Sequence, residues 1–449
     1  MQNSELKNTI QSDNAKHPIL FLVGCLAVSG VICVAHIMGN SIFLALSMLA
    51  FLGLNVLACS QNFVFPFLLY FLPWSPLLRL NIDSISFFTI ALLFSCLFYL
   101  VKDKLSLNVY QIIITASLLA ITLIAKTIQH NSVANNYFVF MAMLLFFPCI
   151  TNKAKESLSF YDLTLFFSLG IIAAALSAQQ VAGYPNISQY IKVDSYLTIT
   201  RLSGYYPDPN FYSAHITACL AGVMLLLTKE KKDSHRIILA IVSVFLLYCG
   251  LLSASKSFII ITACLFFVWI PTLLKKQNRG STAAKVFIGL LCAGIIVLSS
   301  TAFQELFKII DTRFSYASSV SELTTGRTDL WQTYINEFIH NPVLVLLGEG
   351  FSSVIIGKRA SHNTIIQGVF QFGIIGFPFL IAWFVITIKN LISNISDKKP
   401  HFLYILLMGV GIVLPWMALD IIFFDELFLL PVYGALAVAY SSLELENGK

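Results

Sequence analysis

Apolar runs of about 17–25 residues follow one another along nearly the whole chain, each long enough to cross a bilayer as an α-helix. Inside hydrocarbon every backbone N–H and C=O must pair internally, so such runs can become only helices or a closed barrel. The strict apolar–polar alternation of barrel strands is absent. Charged residues make up 11% of the chain, where a soluble domain carries about a quarter. The expected fold class is an all-α polytopic membrane protein with about 12–14 transmembrane helices, one membrane domain over residues 1–449. The first run, near 18–38, is too long for a signal-peptide core and leads at once into another span.

Spans are read near 18–38, 41–58, 63–78, 84–101, 108–126, 133–150, 160–178, 209–228, 237–252, 256–275, 285–303, 362–388, 401–418 and 421–440. The third holds Pro66, Pro73 and Pro76, so it is expected to be short, broken or re-entrant. Basic residues mark the loops at 102–104, 153–155, 229–236, 275–285 and 389–399, each two spans from the next. The positive-inside rule puts all five in the cytoplasm. Two sizeable loops, 179–209 and 304–361, then fall outside and the C-terminus inside. The N-terminal tail with Lys7 and Lys16 is also inside if the third segment crosses. The nine cysteines are scattered singly through apolar stretches and read as small buried hydrophobes.

A loop does not need Arg, Trp, Gly and His to link two spans, so chemistry is sought in these two outer loops. In 304–361, Leu330, Trp331, Tyr334, Ile335, Phe338 and Ile339 fall at helical spacing. The spacing predicts an amphipathic helix lying on the membrane surface, capped by Thr324 or Thr325, stopped by Asn341-Pro342, with Trp331 at headgroup level. Arg327 lies in its first turn, where free N–H groups already favour an anion. Its guanidinium offers a fork suited to phosphate, or a contact to lipid headgroups. The 179–209 loop ends in Arg201-Leu-Ser-Gly204 and then Asp208-Pro209-Asn210, where Asp208 or Asn210 can cap the next span. Lys256, in Ser253-Ala-Ser-Lys-Ser257, either snorkels or faces an anion. His362 closes the large loop, with Asn363 and Gln367 behind it, and is the natural general base near neutral pH. His215 is a weaker candidate. Asp420, Asp425 and Glu426 cluster at the last outer turn, suited to pairing with arginine or to binding sugar hydroxyls. Arg313, Lys358 and Arg359 read as solvated loop charges. No metal-ligand spacing and no nucleotide-binding glycine loop is found.

Taken in order, Arg201, Gly204, Asp208-Pro209-Asn210, Gly326-Arg327, Trp331, Asn341-Pro342, Gly348, Gly350, His362-Asn363, Gln367, Gly373 and Gly376 resemble the O-antigen ligase and Wzy-type O-antigen polymerase superfamily. The resemblance covers about residues 195–380. Two departures are visible. Lys256 stands where the family tends to have Arg, and Gln371 where an acid is common.

The resemblance implies a GT-C-like glycosyltransferase of the bacterial cytoplasmic membrane, multi-pass, with its site on the outer face. It implies a glycan donor on undecaprenyl pyrophosphate and an acceptor hydroxyl on a second lipid-linked unit (polymerase) or on lipid A–core (ligase). Membrane lipids surround such a protein, and a flippase and a chain-length regulator are partners the reading brings in. His362 would be the catalytic base. Arg201, Arg327 and Lys256 would bind the pyrophosphate, with Asp208, Asn210, Trp331, Asn363 and Gln367 in support. No cofactor, no metal and no nucleic acid enter. Polymerase is the favoured activity and ligase the alternative. A multi-span transporter is the reading of another class, and it would need charged groups facing each other at mid-bilayer depth.

Overall fold

Asparagine, serine or aspartate side chains start many of the helices, because each supplies an oxygen to amides that have no partner in the first turn. In the computed structural model Asn40 accepts from the amides of Ile42 and Phe43, Asn108 from Tyr110, Ser159 from Asp162 and Asn363 from Ile365 and Ile366. The structure describes residues 18–443 apart from 83, 103–107, 130–134, 152–158, 192–193, 197–198, 202, 207, most of 275–325, 352–354, 356–358, 397–399 and 420–424.

In chain order the helices are α1 (Pro18–Met38), α2 (Ser41–Ser60), α3 (Val64–Phe71), α4 (Phe87–Lys102), α5 (Val109–Ile128), α6 (Asn135–Thr151) and α7 (Phe160–Val181). After α8 (Pro185–Ser188) comes a two-stranded antiparallel hairpin, β1 (Asp194–Tyr196) and β2 (Ile199–Arg201), pairing Asp194 with Arg201. Then follow α9 (Pro209–Lys229), α10 (Asp233–Leu252), α11 (Lys256–Leu274), α12 (Arg327–His340), α13 (Pro342–Leu347), α14 (Thr364–Ile395), α15 (Phe402–Ile412) and α16 (Glu426–Leu443). Short 3-10 turns cover Leu72–Trp74 and Leu414–Ala418. Among the described residues seven helices are long and apolar enough to cross a membrane, and shorter apolar helices accompany them. The chain is a helical polytopic membrane protein, as its apolar runs require. The span expected near 285–303 lies outside the described residues.

Side-chain contacts fix the relative direction of many of the helices. Tyr99 donates to the Cys59 carbonyl at 3.0 Å and Asn55 to that of Ala91 at 3.0 Å, so α2 and α4 run parallel. The chain between them must therefore travel back from the end of α2 to the start of α4. It does so as the proline-rich third segment. Phe63 meets Phe21, Tyr70 Oη lies 3.1 Å from Ser29 Oγ, and His36 Nε2 lies 2.8 Å from the Leu77 carbonyl. Residues 63–77 thus advance alongside α1 over most of its length. Every residue of α3 is buried, and so are Leu72, Pro73 and Trp74. Irregular backbone at membrane depth survives when protein, rather than lipid, surrounds it. The third segment is a buried, broken crossing.

The remaining contacts extend the pattern. His215, Gly222 and Lys229 of α9 meet Glu426, Tyr433 and Ser441 of α16, so these two are parallel. Ser213 meets Ser255, and Met224 accepts from Trp269, so α11 is parallel to α9 as well. Gln111 of α5 donates to Thr387 of α14, while Ile121 of α5 lies against Gly376 of α14, so α5 and α14 are antiparallel. In this arrangement Lys102, Lys229 and Lys389 lie toward one end of the bundle. The starts of α9, α11, α14 and α16 lie at the other.

The basic end is expected to be cytoplasmic. Asn336→Cys, on the exposed side of α12, should then react with an impermeant maleimide in intact spheroplasts. The described native cysteines are buried or, for Cys264, half-buried, so background should be low. Labelling only after permeabilisation would invert the orientation.

Candidate functional site

Two turns at the non-basic end gather most of the expected residues. The first joins α10 to α11. Ser253 caps the end of α10, and Ala254 takes φ 47°, a left-handed conformation disfavoured for a residue with a side chain. Strain of this kind persists only where the surroundings over-determine it. Here Arg201, at the end of β2 and buried, donates its Nε to the Ser253 carbonyl at 3.1 Å. Asp208 caps α9 by accepting from the Asn210 amide at 2.8 Å, and its Oδ1 also takes the Asn210 side-chain amide at 2.7 Å. That bond orients Asn210, whose Oδ1 accepts from Ser255 Oγ at 2.7 Å. Ser255 lies 2.7 Å from Ser257 Oγ. Lys256, half-buried, opens α11 in the middle of this cluster. Arg201, Asp208 and Asn210 thus form one polar knot with the turn that leads into Lys256, far along the chain.

The second turn joins the large loop to α14. His362 is half-buried and has φ 51°. Its neighbours hold it there. The Ser361 amide donates to Gln367 Oε1 at 2.9 Å, and Ser361 Oγ donates to the Asn363 carbonyl at 2.9 Å. Asn363 caps α14, and Gln367 is fully buried one turn in. Trp331 Nε1 donates to the Ser361 carbonyl at 2.9 Å, and Tyr334 Oη to the Arg359 carbonyl at 3.0 Å.

Part of the stripe on α12 is covered by protein. Trp331 pins the His362 turn, and Tyr334 is buried on Phe370 and Leu344. Helical spacing marks an apolar stripe, and it cannot say whether lipid or protein covers it. Ile335 and Ile339 remain exposed. The N-cap is Gly326 rather than a threonine, although Thr324 Oγ1 still accepts from the Thr328 amide at 3.4 Å. Arg327, half-buried, is the first residue of α12. Thr325, Arg313, Lys358 and Asp420 lie outside the described residues.

The glycines of the large loop have a separate task. α14 is broken at Gly373, which takes φ 66° and ψ 176°. The break frees the Phe370 and Gln371 carbonyls, which accept the Glu349 and Gly350 amides at 2.7 and 3.0 Å. A Cβ on Gly348 would strike the Gln371 backbone, and one on Gly373 the Leu346 carbonyl. Gly348 and Gly373 therefore let two backbones touch, and so dock the large loop on α14.

The second turn rests on the Leu414–Leu419 region. The 3-10 helix packs against α11 and α14, Asn363 Nδ2 donates to the Met417 carbonyl at 3.4 Å, and Thr364 Oγ1 to that of Leu419 at 2.6 Å. Asp425, in the turn before α16, accepts from Thr89 Oγ1 at 3.0 Å, and burial with Glu426 beside it pushes its carboxyl up to about 7. Among the described residues no three His, Cys, Asp or Glu side chains gather as a metal site.

Residues 241–381 match a family model described as O-antigen ligase, Wzy_C. The match spans Lys256, Arg327, Trp331, His362, Asn363 and Gln367. Arg201, Asp208 and Asn210 precede it in sequence. No curated protein matches the chain.

Proposed function

We propose, from the premise that this chain belongs to the O-antigen ligase and polymerase superfamily, that it is a polymerase of lipid-linked glycans. At the coarse level the family makes it a glycosyltransferase-like membrane enzyme acting on lipid-linked glycans. The finer reading is that a glycan moves from undecaprenyl pyrophosphate to a sugar hydroxyl on a second lipid-linked unit. The reaction would run at the outer face of the cytoplasmic membrane. Transfer to lipid A–core, a ligase reaction, is the alternative.

The observation that carries this reading is the knot of Arg201, Asn210 and the Ser253–Lys256 turn at the same end of the bundle as the His362 turn. The donor carries its own leaving group. When the anomeric C–O bond breaks, negative charge develops on the pyrophosphate. Fixed cations aimed at that charge lower the barrier because they need not reorganise during the step. Arg201, Arg327 and Lys256 are assigned to it. The acceptor hydroxyl attacks the anomeric carbon and loses a proton, and His362 is assigned to receive it. Asp208 and Asn210 hold the cationic side of the site, and Trp331, Asn363 and Gln367 hold the turn that presents His362. The polyprenyl chain would lie among the apolar spans.

The test is deletion of the protein followed by gel analysis of surface glycan. A polymerase predicts loss of the ladder with single-repeat material retained. Loss of all lipid A-attached repeats, with lipid-linked polymer accumulating, would make it a ligase. Purified enzyme in proteoliposomes should keep its activity in EDTA. Abolition by chelation with rescue by magnesium would assign charge stabilisation to a metal instead.

A further inference from the structure

A buried acid lies behind the Arg201 loop and has no role in the scheme above. Glu426, first residue of α16, is 3% exposed. Taking a carboxylate out of water is costly unless its oxygens are satisfied. One oxygen, Oε1, receives the Tyr206 hydroxyl at 2.6 Å and lies 3.1 Å from His215 Nε2. The His215 ring stands edge-on to Tyr206 with centroids 5.0 Å apart, and both residues are buried. The Tyr206 hydroxyl is also 3.0 Å from the Leu72 carbonyl in the broken third segment. Burial and the neighbouring Glu426 keep the phenol well above its usual ionisation range, so it remains a donor.

The position of these groups gives the contact its meaning. Tyr206 lies between Arg201 and Asp208 on the outer loop. His215 lies on α9, whose first turn carries Asn210 and Ser213. A single carboxylate oxygen therefore ties the loop bearing Arg201 and the helix bearing Asn210 to the last helix of the bundle.

We propose that Glu426 is a positioning residue, which through Tyr206 and His215 sets the Arg201 loop against α9 and so fixes the cationic half of the site. The activity arm of its test rests on Arg201 serving as a donor ligand. The structural arm does not.

Tyr206→Phe removes the hydroxyl and keeps the ring. Amide exchange across 199–208 should quicken, including the Tyr206 amide that donates to the Ser203 carbonyl at 3.1 Å. KM for the lipid-linked donor should rise about two- to tenfold, the worth of one hydrogen bond, with kcat changed far less. Glu426→Ala should act the same way, and adding Tyr206→Phe to it should cost little more. Glu426→Gln keeps an oxygen in place and should restore both exchange and KM to near wild type. Two results overturn the proposal. One is unchanged exchange and unchanged KM in Tyr206→Phe. The other is a Glu426→Gln variant that loses kcat while its loop exchange stays wild-type, which would assign Glu426 to proton transfer. If wild-type protein transfers no glycan, the functional reading fails while the exchange arm still decides the anchor.

Discussion

His362→Ala should leave lipid-linked donor bound while turnover falls about 10²–10⁴-fold, the usual cost of removing a general base. The geometry of the turn motivates the separation. His362 has a left-handed backbone, φ 51°, with Ser361 fixed on one side by Gln367 and Asn363 fixed on the other by the α14 cap. Conformations of this kind cost on the order of 1–3 kcal/mol and cluster at working sites. Substitution by Ala keeps the flanking hydrogen bonds, which use the backbone and the side chains of other residues, so the fold should survive. The neutral imidazole is the form that accepts a proton, so wild-type turnover should fall as pH drops through the imidazole's own pKa. His362→Gln can donate and accept hydrogen bonds but cannot take up the proton, and it should not rescue. The measurement is single-turnover transfer from purified lipid-linked repeat units beside donor binding. Retention of more than about a tenth of wild-type turnover would place the base elsewhere.

The membrane class was legible from the apolar runs alone, because bilayer thickness and backbone pairing admit so few alternatives. The third segment was not. Pro66, Pro73 and Pro76 say that a helix must break, but only the parallel course of α2 and α4 shows that the broken chain still crosses. The candidate site residues stood out as residue types out of place: an arginine beside a glycine turn, a histidine closing a loop. Asp208 as a cap could be read from Asp-Pro-Asn by short-range rules. What brings Arg201 to Ser253, or Trp331 to Ser361, is contact across 52 and 30 residues, and no local rule reports it. The Glu426–Tyr206–His215 contact was missed for the same reason, at separations of 220 and 211 residues. The one available signal was an acid at the start of an apolar run. The stripe on α12 was seen, and the packing of Tyr334 on Phe370 was not, since amphipathicity gives the face to be covered and not what covers it.

Arg201→Lys and Arg327→Lys should each lower turnover by about 10²–10³, the range found when one preorganised donor to a developing charge is removed. The substitution keeps a positive charge, so the prediction turns on shape. Guanidinium is a planar fork with five N–H donors, whereas an ammonium is a compact, strongly hydrated point charge. Arg201 shows why the fork matters here. Its Nε is committed to the Ser253 carbonyl at 3.1 Å, which anchors the side chain to the α10–α11 turn, while the terminal nitrogens belong to the same rigid plane. Lysine offers its donors from a single nitrogen and lacks the fork that spans the turn and a phosphate. Arg201→Lys should therefore lose anchoring and charge placement together, and its donor KM should rise as kcat falls. Arg327 starts α12 just after Gly326, where the free amides of the first turn reinforce a cation toward an anion. Arg327→Lys should mainly reduce kcat, and Arg327→Ala should do no better. Expression and thermal stability should change little for the Arg327 variants, since that side chain is only half-buried at a helix start. Full glycan laddering in Arg327→Ala would remove that residue from the site and leave Arg201 with Lys256 as the cations that face the leaving group.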